Sequence, residues 1–217
     1  MIYESTRAIT TRRLILRKFT PEDTHALFEL LRDGDVNKFL PMFPLKTLDE
    51  ARYFLQKGYL DYYDNVPSNY RYAVCLKEDN VPVGYVLLAD NASRDLGYGL
   101  KKEFWSKGII TEAANAVVSR LKSAGYDHIT ATHDINNPAS GAVMQKLGMC
   151  YKYSYEEQWQ PKDYPVIFRM YQLNFDGSDR TYREYWDKYE NHFIERGREN
   201  AKTDNEAGTA ARGRGPV

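Results

Sequence analysis

The stretch that decides the fold is residues 95–113, which read DLGYGLKKEFWSKGIITEA. Its first six residues predict a strand, and an amphipathic helix is predicted over residues 108–124. The apolar face of that helix recurs at helical spacing and contains Ile110, Ala113, Ala114, Val117, Val118 and Leu121. A strand that runs through a glycine-bearing turn into a helix N-terminus brings free amides and the positive end of the helix dipole together. The turn can therefore hold a phosphate or pyrophosphate.

The residues around this turn leave two interpretations open. Three lysines add positive charge nearby: Lys101, Lys102 and Lys107. The turn is not a P-loop, because no G-x-x-x-x-G-K-[ST] pattern occurs, and Gly97-x-Gly99 lacks the third glycine of a dinucleotide-binding turn. A plain strand-to-helix connection fits the same residues equally well.

A second helix start lies further along, in residues 136–149, which read NNPASGAVMQKLGM. Asn137 is a good helix N-cap, and Ser140 stands at the third helical position beside it. A strand predicted over residues 128–133 comes just before, so the first turn of this helix opens near the same edge of the sheet.

The remaining pattern predicts the order β-α-α-β-β-β-α-β-α-β-β, a mixed α/β layer. Between the first two helices, residues 39–44 predict an apolar loop that is either a lid or a substrate wall. Aromatic side chains then recur at helical spacing near the C-terminus: Tyr182, Tyr185, Trp186, Tyr189 and Phe193. They predict one more amphipathic helix within residues 176–197, either docked on the domain or forming a dimer contact. Residues 198–217 have no apolar period and are predicted to be disordered.

Composition excludes several classes of protein. The 217 residues carry 30 basic and 30 acidic side chains, so no net charge favours nucleic acid or an anionic membrane as a partner. No apolar run approaches the roughly 18 residues of a membrane-spanning helix, and residues 1–7 contain no signal-peptide core. Two cysteines exclude a disulfide framework and a cysteine zinc site, and no metal site is expected. A cytoplasmic protein is predicted.

Four segments, taken in this order and spacing, resemble the GNAT superfamily of N-acetyltransferases, and specifically its ribosomal-protein N-terminal acetyltransferase branch. They are residues 11–17 (TRRLILR), Gly97-Tyr98-x-Leu100, residues 105–113 (WSKGIITEA), and Asn137-x-x-Ser140 leading into KLGM at 146–149. The resemblance covers residues 8–175, taken as one N-acetyltransferase domain. It implies an α/β (α+β) fold with a mixed, mostly antiparallel twisted sheet of about seven strands flanked by four helices. The sheet would splay between its fourth and fifth strands, with the C-terminal helix added.

The resemblance also implies acetyl-CoA as the acetyl donor. In the family the glycine turn binds the pyrophosphate through backbone amides, here those of residues 106–111, and the splayed strands admit the pantetheine arm. Trp105 and Ile110 depart from the general family pattern, which has Gln or Arg and then Gly or Ala at these positions. The implied coenzyme-binding residues are Leu100, Trp105, Ser106, Lys107, Gly108, Ile109, Ile110, Thr111, Asn137 and Ser140.

By the same resemblance, Ser140 lies near the coenzyme sulfur and donates a hydrogen bond to the leaving thiolate, while the Leu100 amide holds the thioester carbonyl. A purely structural role at the helix start is the alternative for Ser140. The general base is open between His133, Glu157 (or its neighbour Glu156) and a water chain. Histidine titrates near neutral pH, which suits a base, but a hydrogen-bonded surface histidine is the alternative for His133.

The function predicted is transfer of an acetyl group from acetyl-CoA to a primary amine by direct transfer in a ternary complex. The acceptor is a protein N-terminus or a small amine such as an antibiotic or polyamine, and a homodimer is possible. A non-catalytic acyl-CoA-binding sensor is the hypothesis from another class, and repeated turnover with any acceptor distinguishes the two.

Overall fold

Two antiparallel sheets organise the computed structural model, which describes residues 6–66 and 69–197. The first sheet follows chain order: β1 (Ile9–Thr10), β2 (Leu14–Arg17), β3 (Arg71–Leu76), β4 (Pro82–Leu88) and β5 (Leu96–Leu100). The second contains β6 (His128–Asp134), β7 (Cys150–Trp159), β8 (Tyr164–Asn174) and β9 (His192–Phe193), in the spatial order β6-β8-β7-β9.

Seven helices connect or cover these strands in the described part of the chain: α1 (Thr24–Leu31), α2 (Gly34–Asn37), α3 (Leu48–Leu55), α4 (Asp61–Asn65), α5 (Ile109–Ser123), α6 (Pro138–Lys146) and α7 (Glu184–Lys188). A π-helical turn over Gln56–Leu60 joins α3 to α4. The start of α3 follows from its sequence, because the Thr47 hydroxyl accepts the Glu50 amide at 3.1 Å. None of the described helices combines the length and the apolar character needed to cross a bilayer.

The two sheets meet at one point and then separate. An isolated parallel bridge joins Asp95 to Thr130, and the Thr130 amide donates to the Arg94 carbonyl at 3.3 Å. Beyond this bridge β6 pairs with β8, and a V-shaped gap opens between β5 and β6 toward their C-terminal ends. With the two-residue strands β1 and β9 set aside, β5 and β6 are the fourth and fifth strands. The predicted fold class and its splay are confirmed.

The two faces of the sheets are covered differently. On one face α5 and α6 pack with a core that includes Leu14, Val117 and Leu121, all fully buried. We call the opposite face of both sheets the α1 face, where α1 and α3 cover the first sheet with Leu27 and Leu55. Most of the predicted stripe of α5 is buried as expected, although Ile109 is buried where Ile110 is only partly so.

The predicted C-terminal amphipathic helix is wrong in its extent. Only Glu184–Lys188 is helical, Tyr189 is extended, and β9 pairs along the edge of β7 with Phe193 opposite Ser154. The strand pairing satisfies backbone groups at the edge of β7, which a longer helix would leave open. The aromatic side chains before it pack on the second sheet, as the docked alternative predicted: Tyr182, Tyr185, Trp186 and Tyr189. Residues 198–217 lie outside the described residues.

Candidate active site

The turn before α5 presents its backbone to solvent. Ser106 and Gly108 both adopt left-handed conformations, with φ of 58° and 71°, and Gly108 is the N-cap of α5. The Trp105 indole donates to the Leu100 carbonyl at 2.8 Å while the ring stays 42% exposed. The amides of the first helical turn have no carbonyl of their own helix to bond. The turn therefore offers a row of outward amides at the positive end of a helix.

Gly108 leaves open space at this helix end. A Cβ added there would meet one atom within 4 Å, the Arg13 Nη2, at 3.6 Å. Because φ is positive, any other residue would also be strained at this position. The backbone can thus be approached closely here by an anionic ligand.

Arg13 is a cation of this site that sequence reasoning missed. Its Nη1 donates to the Lys107 carbonyl at 2.9 Å, and its Nε pairs with Glu112 at 2.7 Å. Strand β2 is therefore tied to the first turn of α5. The sequence signal was the position of Arg13 directly before β2.

Glu112 is the other half of this tie. It accepts the Thr11 hydroxyl at 2.6 Å and the Arg13 amide at 2.9 Å, in addition to the ion pair. Partial burial opposes ionisation, but these hydrogen bonds and the Arg13 charge outweigh it and lower the pKa of Glu112 to about 2.

The three lysines expected beside the turn do not behave alike. Lys102 forms an ion pair with Asp35 of α2, so its charge is already matched. The Lys107 ammonium instead lies over the Phe104 ring, 5.6 Å from its centre.

The edge of β5 that faces the gap carries unpaired amides. Lys101 donates to the Val83 carbonyl and Ala89 donates to the Asp95 carbonyl, both at 2.8 Å, so residues 95 and 101 bond to β4. Since hydrogen bonding alternates along a strand, the amides of Tyr98 and Leu100 point away from β4 into the gap. The Leu100 amide therefore faces the gap, and its role as a donor to the thioester carbonyl stays a prediction.

Ser140 lies across the gap in the first turn of α6. Asn137 is the N-cap predicted from the sequence, and its side-chain oxygen accepts the Ser140 amide at 3.3 Å. The Tyr98 hydroxyl donates to the Ser140 carbonyl at 2.9 Å and lies 3.0 Å from the Ser140 Oγ. Burial raises the pKa of Tyr98 to about 12, so this hydroxyl keeps its proton at neutral pH. Sequence reasoning gave Tyr98 no role beyond its place in a motif.

His133 is not on the surface, so that alternative is wrong. It is 4% exposed, its Nδ1 bonds the Asp134 carbonyl at 2.8 Å, and its ring lies 5.6 Å from Tyr171. A Cβ added to Gly141 would lie 2.6 Å from the His133 Nε2, so the imidazole ring packs directly against α6. Alternation along β6 thus aims His133 into the core and away from the α1 face.

Glu157 lies on the α1 face instead. Tyr155, two residues earlier and on the same face of β7, packs with Phe168, whereas the neighbouring Glu156 points the other way, with Asn191 3.4 Å from its carboxylate. The structure therefore places His133 and Glu157 on opposite faces of the second sheet.

Together these features fit a coenzyme A thioester. The outward amides and the open backbone at Gly108 suit a pyrophosphate, with Arg13 and Lys107 as cations, and the edge of β5 suits an extended amide-bearing arm. Ser140 and the Leu100 amide stand on the two sides of the gap where such an arm would end.

Comparison with known proteins identifies a family. The family described as "Acetyltransferase (GNAT) domain" matches residues 13–150, more than half of the chain. The uncharacterized N-acetyltransferase YnaD of Bacillus subtilis (strain 168) is 28% identical over 145 residues, which cover 65% of this chain and 81% of that protein.

Solved structures are similar in fold. RimL, a ribosomal L7/L12 alpha-N-protein acetyltransferase in complex with coenzyme A, aligns with a TM-score of 0.67 and 19% identity over 79% of this chain and 100% of its own. The microcin C7 self-immunity acetyltransferase MccE, in complex with acetyl-CoA and AMP, aligns with a TM-score of 0.66 and 17% identity over 76% and 93% of the two chains.

Proposed function

The chain belongs to the GNAT acetyltransferase family, and we propose that it moves an acetyl group from acetyl-CoA directly to the α-amine of a peptide N-terminus. Acetyl-CoA is the acetyl donor throughout the family. The acceptor and the roles of individual residues are our proposal. The observation that carries it is the gap between β5 and β6, which has Leu100 on one side and Ser140 on the other.

The donor site is assigned to the turn before α5. The amides of residues 106–111 would hold the pyrophosphate, because a helix N-terminus stabilises negative charge without a lysine clamp. Arg13 adds a fixed cation, since Glu112 and the Lys107 carbonyl already orient its guanidinium. Asn137 would contribute by holding the first turn of α6 in place.

Two hydrogen-bond donors would act on the thioester of acetyl-CoA. The Leu100 amide would bind the carbonyl oxygen as it gains negative charge, which lowers the barrier only if the donor is already in place. The Ser140 hydroxyl would donate a hydrogen bond to the departing sulfur. A serine hydroxyl is a far weaker acid than a thiol of pKa about 8.5, so Ser140 stabilises the thiolate rather than protonating it fully.

The amine must lose a proton before or during attack, and Glu157 is the base we assign to this step. It lies on the α1 face, whereas His133 is buried under α6 with one ring nitrogen bonded to a backbone carbonyl. A carboxylate near the acceptor can accept the proton directly or through one water. His133 is assigned a structural role.

The acceptor would reach the gap from the α1 face. The Lys162 ammonium, at the tip of the β7–β8 hairpin, donates to the Asn37 and Lys38 carbonyls at 2.7 and 3.2 Å. This contact joins the two halves of the molecule across the α1 face, which favours a slender acceptor over a bulky one. The likeness to RimL supports a peptide end, and the likeness to MccE supports a small molecule as the alternative.

Release of free thiol from acetyl-CoA tests this proposal. One arm of the panel contains short peptides that begin with Ser, Ala or Thr, and the other contains polyamines and aminoglycosides. Turnover on the peptides supports the proposal. Turnover on small amines alone would replace it with a small-molecule acetyltransferase, and binding of acetyl-CoA without turnover on either arm would favour the sensor.

A further inference from the structure

The segment that follows the second sheet folds back over that sheet on the α1 face. We call residues 182–195 the C-terminal strap, and it lies wholly outside residues 13–150, which match the family. The Tyr182 amide donates to the Gln172 side chain of β8 at 2.7 Å, and the Tyr153 hydroxyl of β7 donates to the Tyr182 carbonyl at 2.8 Å. The start of the strap is therefore fixed to both long strands of the second sheet.

The rest of the strap is also attached to this sheet. The Tyr185 ring stacks on Tyr155 of β7, with ring centres 5.1 Å apart and an interplanar angle of 21°. Near the end of the strap, Glu195 pairs with Arg169 at 2.8 Å and accepts the Ser154 hydroxyl at 2.7 Å. Because these contacts do not involve the Tyr185 hydroxyl, its removal would leave the strap docked on β7.

The Tyr185 hydroxyl reaches the first sheet instead. It donates to Asp95, the residue at which the two sheets meet, and the other oxygen of that carboxylate accepts the Thr130 hydroxyl of β6. Burial raises the pKa of Asp95, and the two hydroxyl donors oppose this shift. Both hydroxyls of the second sheet and its strap therefore stabilise the ionised carboxylate at the junction.

This contact adds a tie between the sheets at a different height. The backbone contact of β5 with β6 consists of the bridge between Asp95 and Thr130 and a hydrogen bond from the Thr130 amide to the Arg94 carbonyl at 3.3 Å. Both lie within the sheets, whereas the Tyr185 contact lies above them on the α1 face and leads to β7, which is separated from β6 by β8. Ties at two heights resist a change in the angle between the sheets.

We propose that Tyr185 is a positioning residue for the coenzyme: through Asp95, the C-terminal strap sets the angle at which β5 and β6 separate and so the width of the gap between them. The gap opens from this junction, and Leu100 lies five residues further along β5, roughly 17 Å at the rise of a strand. A small change of angle at Asp95 is therefore a larger displacement at Leu100. This inference rests on the proposed placement of the acetyl-CoA arm in the gap.

The first test compares Tyr185→Phe with Tyr182→Phe, which deletes a hydroxyl that bonds Glu184 within the strap. Isothermal titration measures the affinity for acetyl-CoA and for ADP, which has a pyrophosphate but no pantetheine arm. In Tyr185→Phe we expect the acetyl-CoA affinity to fall by about threefold to tenfold, because a changed gap weakens ordinary hydrogen bonds to the arm. The ADP affinity should stay unchanged, and Tyr182→Phe should bind both ligands as the wild type does.

Three results of this titration would overturn the inference. They are an unchanged acetyl-CoA affinity in Tyr185→Phe, equal losses for acetyl-CoA and ADP, and equal losses in Tyr185→Phe and Tyr182→Phe. Equal losses for the two ligands would show a general loss of structure rather than a change in the gap.

A second test needs no ligand and follows amide hydrogen exchange by NMR. The Thr130 amide, which donates to the Arg94 carbonyl across the junction, should exchange at least about tenfold faster in Tyr185→Phe than in the wild type or the control variant. The Ile135 amide, which donates to the Ile167 carbonyl within the second sheet at 3.0 Å, should exchange as in the wild type. Wild-type exchange at Thr130, or equal acceleration at both amides, would overturn the inference.

The wild-type protein separates this inference from the proposed function. If it binds ADP as tightly as acetyl-CoA, the arm gains nothing from the gap, and the proposed placement of the coenzyme is wrong. A wild-type preference for acetyl-CoA that Tyr185→Phe leaves unchanged would overturn the role of Tyr185 alone.

Discussion

The Tyr98 hydroxyl lies 3.0 Å from the Ser140 Oγ, across the gap between β5 and α6. The same hydroxyl donates to the Ser140 carbonyl at 2.9 Å, so one phenol contacts both oxygens of the serine. Ser140, the residue that we propose as the donor to the coenzyme sulfur, is therefore held by a side chain of the opposite strand.

Ser140→Ala should lower kcat by about tenfold to a hundredfold, because a hydrogen bond to a charged group contributes about 1.5–3 kcal/mol. KM for acetyl-CoA should change little, since the bond to sulfur strengthens only as the thiolate forms. Steady-state kinetics with both substrates varied measures this split. An unchanged kcat in a folded variant would remove Ser140 from the reaction.

Tyr98→Phe should lower kcat by about threefold to tenfold, the scale of one ordinary hydrogen bond. Because Tyr98 acts through Ser140, the double variant Tyr98→Phe with Ser140→Ala should be no slower than Ser140→Ala alone. Additive losses in this double-mutant cycle would show that Tyr98 acts independently.

Gly108→Glu should weaken acetyl-CoA binding by more than about tenfold. A carboxylate at the helix N-terminus would repel the pyrophosphate by about 1 kcal/mol at 4 Å in water and by about 4 kcal/mol near a protein surface. Isothermal titration with acetyl-CoA measures the change.

Gly125→Glu is the matched control for backbone strain and added charge. Gly125 also has positive φ, 86°, with nothing within 4 Å of an added Cβ, and it follows the far end of α5. Equal affinity losses in the two variants would contradict a pyrophosphate site at Gly108.

Glu112→Gln should destabilise the fold at neutral pH by about 2 kcal/mol. The folded-state pKa of Glu112, about 2, lies below its ordinary 4.5, so the stabilisation is complete above pH 4.5 and is lost as the pH falls toward 2. Urea unfolding of wild type and variant between pH 7 and pH 3 should show the difference shrinking over the acidic half of this range.

Glu29→Gln serves as the control for this prediction. Glu29 pairs with Arg32 on an exposed helix surface, where both side chains are more than two-fifths solvent-accessible. Its loss should change stability by less than about 1 kcal/mol at any pH. A pH-independent difference in Glu112→Gln would contradict the low pKa.

The elements around the donor site could be predicted because their signals are local. The stripe on α5, the glycine at its start and the Asn137 cap all lie within one helix length of the residues that they organise. Burial of His133 could not be read from its position at a strand end, because it depends on the packing of Gly141 against β6.

The ties that complete the site join residues far apart in the chain. Arg13 and Glu112 are separated by 99 residues, and Tyr98 and Ser140 by 42. No periodicity or spacing encodes such pairs. The predicted C-terminal helix was wrong for another reason. Its aromatic residues recur at spacings of three and four, which match a helix, whereas packing on the second sheet and pairing with the open edge of β7 decided the structure.

The most direct measurement is to find where the acetyl group goes. A peptide with a free N-terminal Ser and one internal Lys is incubated with the protein and acetyl-CoA, and tandem mass spectrometry locates the product. We expect one acetyl group on the α-amine for each thiol released, and no transfer to the same peptide with a blocked N-terminus. Acetylation of the internal Lys with the N-terminus left free, or thiol release with small amines alone, would contradict it.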